Sequence, residues 1–150
     1  MKQRLQEAKE ELKRADHQVF VSLKYTRTVD VLKHCIERLM NTIDLMFQSI
    51  CHKFVSEGKF EDVPQAPIPR CKRVQENFTG NEVVQQICEI FLHLRKLDKA
   101  EFDRSKEFRR HVTMHAFMAD DIVEEITIDK VTEWYKQVKN FVEYTEQKLL

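Results

Sequence analysis

An arginine and two histidines lie close together in the second half of the chain, in the segment RRHVTMHAFM at residues 109–118. Arg110 is followed directly by His111, and His115 comes four residues later. A histidine can exchange a proton near neutral pH, while an arginine stabilises a developing negative charge. The three residues are therefore candidates for acid–base chemistry.

The order of residues in this segment is arginine, a polar residue, three variable positions and histidine, followed by a small residue and an aromatic. This order resembles the signature of the HEPN family, whose members are small helical bundles. The layout is also similar, with an acidic residue, Glu37, inside a long apolar pattern and an amphipathic final segment over residues 131–149. Many members of that family are metal-independent ribonucleases or partners of nucleotidyltransferases. The resemblance implies catalytic roles for Arg110, His111 and His115, in two sites that face each other across a homodimer.

The charge of the whole chain does not favour nucleic acid, because 25 basic residues are balanced by 25 acidic ones. RNA binding would therefore need a local basic patch. The candidate RNA-binding residues are Arg95, Lys96, Arg104 and Arg109. A solvated helix surface would have the same composition, so this alternative stays open.

The backbone of residues 108–118 separates two interpretations of the motif. On a regular helix Arg110 and His115 would lie about 140° apart, and on a strand they would point to opposite faces. The ribonuclease interpretation needs a helix or a tight turn here. A β-hairpin would favour the alternative, a non-catalytic helical module that binds a protein partner.

The fold is expected to be mainly α, a single domain over residues 1–150 with four or five long amphipathic helices. Apolar residues at helical spacing predict a first helix through Val19, a break near residues 24–28 and a helix of about 28 residues from Val29. The proline-containing residues 58–69 predict a loop. A short helix from Pro69 to Phe78 would follow, and Asn81 would cap a helix that starts at Glu82.

The region after residue 97 is harder to assign. Residues 98–110 are mostly charged, which predicts a solvent-facing helical extension. Alternation of apolar and polar residues between 112 and 128 predicts two short strands joined at residues 119–121. The last helix would begin near Asp129, which is a suitable N-cap residue.

Several other classes of protein are disfavoured by composition. The chain has two glycines and three prolines, too few for most all-β folds, and no glycine-rich phosphate loop or nucleophile elbow. No apolar run reaches the roughly 18 residues of a membrane span, and the charged amino terminus does not resemble a signal peptide. We therefore expect a cytoplasmic protein that acts away from membranes. The four cysteines form no Cys-x-x-Cys pair, so we expect buried thiols, no disulfides, no metal and no other cofactor.

Overall fold

Residues 2–25 form one helical stretch, in a computed structural model that describes residues 2–150. Helix α1 (Lys2–His17) continues through a π-helical turn (Gln18–Ser22) into a short helix, α2 (Leu23–Tyr25). Residues 26–28 are not helical, which confirms the predicted break. Small residues in the apolar stripe of α1, such as Ala8 and Ala15, are fully buried where α1 packs against the long helix that begins at Val29.

Helix α3 (Val29–Ser56) spans 28 residues and is the central element of the bundle. Its first turn is capped by Thr28, whose Oγ1 accepts a hydrogen bond from the backbone N–H of Val31 at 3.3 Å. The Phe47 ring packs edge to face against Phe91 and Phe141, with centroids 5.4 and 6.0 Å apart. The long second helix predicted from apolar spacing is therefore confirmed.

The next two helices also agree with the sequence, apart from one boundary. Helix α5 (Glu82–Lys99) begins where predicted, and Asn81 Oδ1 accepts a hydrogen bond from the N–H of Val84 at 3.1 Å. Helix α4 (Pro67–Asn77) starts two residues before the predicted Pro69. Both prolines fit in the first turn, because backbone N–H groups there have no intrahelical partner.

A mostly buried ion pair fixes the start of α4 on α3. The Arg70 guanidinium donates through Nε and Nη2 to the two carboxylate oxygens of Asp44, at 2.9 and 2.8 Å. Its Nη1 donates to the carbonyl oxygen of Pro64 at 3.0 Å. One side chain thus connects α3, α4 and the loop that precedes α4.

A three-stranded antiparallel sheet follows α5, in the order β1 (Phe102–Ser105), β2 (Thr113–Phe117) and β3 (Val123–Ile126). The pairing of β2 with β3 across a 3₁₀ turn (Ala119–Asp121) confirms the predicted hairpin. The predicted helical extension over residues 98–110 is wrong, since α5 ends at Lys99 and β1 pairs with β2. Edge strands are commonly rich in charged residues. The composition of β1 is therefore the same as that of a solvent-exposed helix, and composition does not distinguish the two.

The last helix, α6 (Ile128–Tyr144), ends in a π-helical turn (Thr145–Leu149). Its N-cap is Thr127 rather than the predicted Asp129, because Thr127 Oγ1 accepts the hydrogen bond from the N–H of Lys130 at 3.3 Å. Asp129 lies in the first turn, where a carboxylate interacts favourably with the positive end of the helix dipole. The fold is thus mainly α, with five long helices and one small sheet.

The sheet covers one side of the helical core. Met114, Ala116 and Ile126 are fully buried, so this face of the sheet belongs to the core. Because side chains alternate along a strand, His115 and Phe117 lie on the opposite, outer face. All four cysteines are buried free thiols, which confirms the burial predicted for them.

Candidate nucleic-acid interface

The structure places the three residues of the predicted catalytic motif in different surroundings. Arg110 lies in the turn between β1 and β2, and its Nη2 is 3.6 Å from Oδ1 of Asp129 in α6. His111 is exposed in the same turn, and its carbonyl oxygen accepts a hydrogen bond from Thr113 Oγ1 at 2.8 Å. His115 lies on β2 and makes neither of these contacts.

His115 has its own polar neighbours on the outer face of the sheet. Its Nε2 is 2.7 Å from Ser105 Oγ, and its Nδ1 is 3.8 Å from Oε1 of Glu125. The register of the strands also sets Asp103 opposite His115. The imidazole and the Ser105 hydroxyl are close enough to form a hydrogen bond, and the Glu125 carboxylate lies exposed beside them. Arg110 contributes to no contact in this group.

The four predicted RNA-binding residues do not form one cluster. Arg104 is engaged by acidic neighbours, with its Nη2 2.9 Å from Asp30 and its Nη1 3.6 Å from Glu107. The hydrogen bond that Arg104 donates to the Asp30 carboxylate raises the pKa of Arg104. Arg95 and Lys96 belong to α5, and the Arg95 guanidinium lies 5.9 Å from the centre of the Phe91 ring.

Of the four predicted RNA-binding residues, only Arg109 lies in a region with several basic side chains that form no ion pair within residues 2–150. It lies in the turn of residues 106–112, which carries the chain from β1 to β2. Within this turn Lys106 and Phe108 have left-handed backbone conformations, with φ angles of 53° and 64°. Residues with a Cβ atom rarely adopt such angles, so surrounding contacts must hold them there.

Two hydrogen bonds hold this turn against the connection between α2 and α3. The N–H of Phe108 donates to the carbonyl oxygen of Arg27 at 2.6 Å. Glu107 Oε2 accepts from the N–H of Val29, the first residue of α3, at 3.1 Å. The turn therefore completes the amino-terminal cap of α3, and the Phe108 ring is left 78% exposed.

A second exposed ring lies at the end of α2, directly before the connection to α3. Tyr25, two residues before Arg27, is also 78% exposed, and Lys24 Nζ is 5.9 Å from the centre of its ring. Lys24, Arg27 and Arg110 line the same cavity of about 230 Å³ between α2 and α6. We refer to the following residues as the basic aromatic surface: Lys24, Tyr25, Arg27, Lys106, Phe108 and Arg109.

The cations of the basic aromatic surface are not neutralised by neighbouring carboxylates. In the part of the chain from residue 2 to 150, no ion pair involves Lys24, Arg27, Lys106 or Arg109. The acids nearby are occupied, Glu107 by Val29 and Arg104, and Asp129 by Arg110. A chain without net charge thus has a locally positive surface.

Comparison with known proteins does not assign this chain to a family. No protein-family model matches it, no curated protein matches it, and no solved structure matches its fold. Membership of the HEPN family and the ribonuclease activity that it would imply therefore stay predictions. Over residues 2–150, no helix has both the length and the apolar character to cross a membrane.

Of the six residues of the basic aromatic surface, only Arg109 is among the RNA-binding candidates that the sequence indicates. Phe108 lies in the segment for which the sequence predicts a helical extension, and Tyr25 lies in the predicted break between helices. The available signal was the basic run at residues 104–110 beside an aromatic residue. The contact between this run and residues 24–27 is not predictable from the sequence. About eighty residues separate the two segments, and apolar periodicity indicates only local structure.

Proposed function

We propose that this protein binds single-stranded RNA through the basic aromatic surface. The observation that carries the proposal is the exposure of Tyr25 and Phe108, each 78% accessible, beside four cations that have no ion-pair partner within residues 2–150. Proteins hold single strands by stacking bases on aromatic rings while basic side chains contact the phosphates. Both elements of that chemistry are present here.

The backbone of Phe108 supports the proposal independently of charge. A left-handed conformation costs a residue with a Cβ atom about 1–2 kcal/mol. Such strain is often found where a fold positions a functional side chain. Burial of the Phe108 side chain offsets little of this free-energy cost, since the residue is 78% exposed. An exposed ring on a strained backbone is therefore better explained by a ligand than by packing.

Single strands fit this surface better than duplexes do. Stacking requires unpaired bases whose faces are free, and these are absent from the interior of an A-form helix. The surface is also small, formed by one turn and one interhelical connection, so it suits a few nucleotides. We expect modest dependence on base identity, because every base has a π face.

The first test measures the binding of a fluorescently labelled 12-nucleotide oligouridine by anisotropy. Replacing Phe108 or Tyr25 with alanine should weaken binding about 5- to 150-fold, from the roughly 1–3 kcal/mol of each lost stack. The matched control is Phe117→Ala, which removes an aromatic ring that is 44% exposed on the sheet and should leave affinity unchanged. Equal effects at Phe108 and Phe117 would refute the proposal.

The second test concerns the phosphates. Each phosphate contact with a single strand contributes about 0.7 to the slope of log affinity against log salt. The double variant K106Q/R109Q should therefore reduce that slope by about 1.4. Lys72→Gln, an exposed lysine on α4, is the control and should not change the slope.

Two further ligands distinguish RNA from other polyanions. A 12-base-pair RNA duplex should bind more weakly than the single strand, and its affinity should not depend on Phe108. Vesicles that contain anionic phospholipid test whether the same rings enter a bilayer surface. Tight vesicle binding that needs Phe108, together with no measurable RNA binding, would overturn the proposal in favour of a membrane ligand.

A second candidate is the binding of a protein partner, the alternative that a β-hairpin at residues 108–118 was expected to favour. The strand at Thr113–Phe117 meets that condition. Phe117, Ile122 and Val123 are 44%, 59% and 49% exposed at the end of the hairpin, where they form an accessible apolar group. Co-purification of a stoichiometric partner that is lost in an I122S/V123S variant would support this function. A protein that remains monomeric and without partners would argue against it.

A further inference from the structure

Two of the four buried cysteines face each other across a helix interface. Cys71 belongs to α4 and Cys88 to α5, and both are completely buried. Each Sγ lies 3.9 Å from the backbone carbonyl oxygen of the other residue. This reciprocal contact requires the two backbones to be close, which is a condition for a disulfide between them.

The electrostatic surroundings distinguish these thiols from the other two. Burial raises the pKa of Cys35 to about 12 and that of Cys51 to about 11. The pKa of Cys71 is instead lowered, mainly by the side-chain hydrogen bond with Cys88. The same hydrogen bond raises the pKa of Cys88. Because the thiolate is the reactive form, Cys71 is the expected nucleophile of the pair.

We propose that Cys71 and Cys88 form a site of reversible thiol oxidation, at which a small-molecule disulfide converts them to a disulfide that joins α4 to α5. In the first step the Cys71 thiolate attacks the reagent, forms a mixed disulfide and releases one reagent thiolate. Cys88 then loses its proton and attacks Cys71 Sγ, which expels the second reagent thiolate. Two protein thiols are oxidised by two electrons, and the reagent is reduced to two thiols.

Access to the buried pair comes from local opening of α4. This helix has 11 residues and follows the loop of residues 57–66, much of which is exposed. Short peripheral elements open more easily than the core of a domain. Oxidation should therefore be slow in the native protein but should reach equilibrium within hours.

The test uses the full chain, incubated with oxidised and reduced glutathione at several ratios, then denatured, alkylated and digested. The expected result is one peptide pair linked through Cys71 and Cys88, with Cys35 and Cys51 alkylated. The linked protein should unfold at a temperature higher by on the order of 5–10 °C, since the cross-link closes a loop of moderate length. Dithiothreitol should reverse both changes.

Variants identify the order of the two steps. Cys88→Ala should accumulate a mixed disulfide on Cys71, whereas Cys71→Ala should leave Cys88 largely unmodified. Cys35→Ala is the control and should form the link as the natural chain does. The proposal is wrong if equilibrium with oxidised glutathione yields no link between Cys71 and Cys88, or if Cys35 or Cys51 oxidises as readily.

Discussion

Replacing Phe108 by glycine and by alanine separates the cost of its backbone conformation from the contribution of its ring. At a φ of 64°, a residue with a Cβ atom pays about 1–2 kcal/mol that glycine avoids. Glycine in turn loses about 0.4–1 kcal/mol through the greater freedom of the unfolded chain. We therefore expect Phe108→Gly to be more stable than Phe108→Ala by about 1 kcal/mol, or about 2–4 °C in Tm.

The ring itself cancels from this comparison, because both variants remove it. Its contribution to stability is small, since a fully buried phenylalanine is worth about 1.5–3 kcal/mol and this ring is 78% exposed. Both variants should also lose RNA affinity to the same extent. The two variants would then differ in the free energy of unfolding but not in RNA affinity, as expected when a strained backbone positions a binding side chain.

Phe117 provides the matched control, because it is a half-exposed aromatic residue in a regular strand. There glycine should be less stable than alanine by about 0.5–1 kcal/mol, the ordinary order. The assay is urea unfolding of all four variants, followed by circular dichroism and by the fluorescence of Trp134, with slopes compared for two-state behaviour. The reasoning fails if Phe108→Gly is no more stable than Phe108→Ala.

Three other predictions concern the core, an ion pair and RNA cleavage. Phe47→Ala should lower the free energy of unfolding by about 3–5 kcal/mol in chemical denaturation, because it removes a buried ring between Phe91 and Phe141. Asp44→Ala should lower it by about 3 kcal/mol because Arg70 is left buried and unpaired, whereas Asp62→Ala, in a mostly exposed pair, should lower it by less than about 1 kcal/mol. If the protein cleaves RNA as the family resemblance implies, His115→Ala should abolish cleavage without unfolding the chain, and unchanged cleavage would end that interpretation.

Elements with local signals are predictable from the amino-acid sequence. Apolar residues at helical spacing defined α3 from Val29, and an asparagine before Glu82 defined the start of α5, because caps and periodicity act within a few residues. Alternation between residues 112 and 128 defined the β2–β3 hairpin for the same reason. Competing local signals explain the errors at helix starts, since Thr127 and Asp129 are both acceptable caps and only one was used.

Other elements form only because they are stabilised by partners that are distant in the chain. The strand β1 has no apolar alternation of its own, and it exists because β2 supplies its hydrogen bonds. Phe108 adopts a left-handed conformation because Arg27 accepts its N–H, while Glu107 caps a helix that begins 78 residues earlier in the chain. The basic aromatic surface depends on the same contacts, which join two segments only after the helices have packed. Local propensities act over one or two turns, so they could specify the helices but not the contact of Phe108 with Arg27 or of Glu107 with Val29.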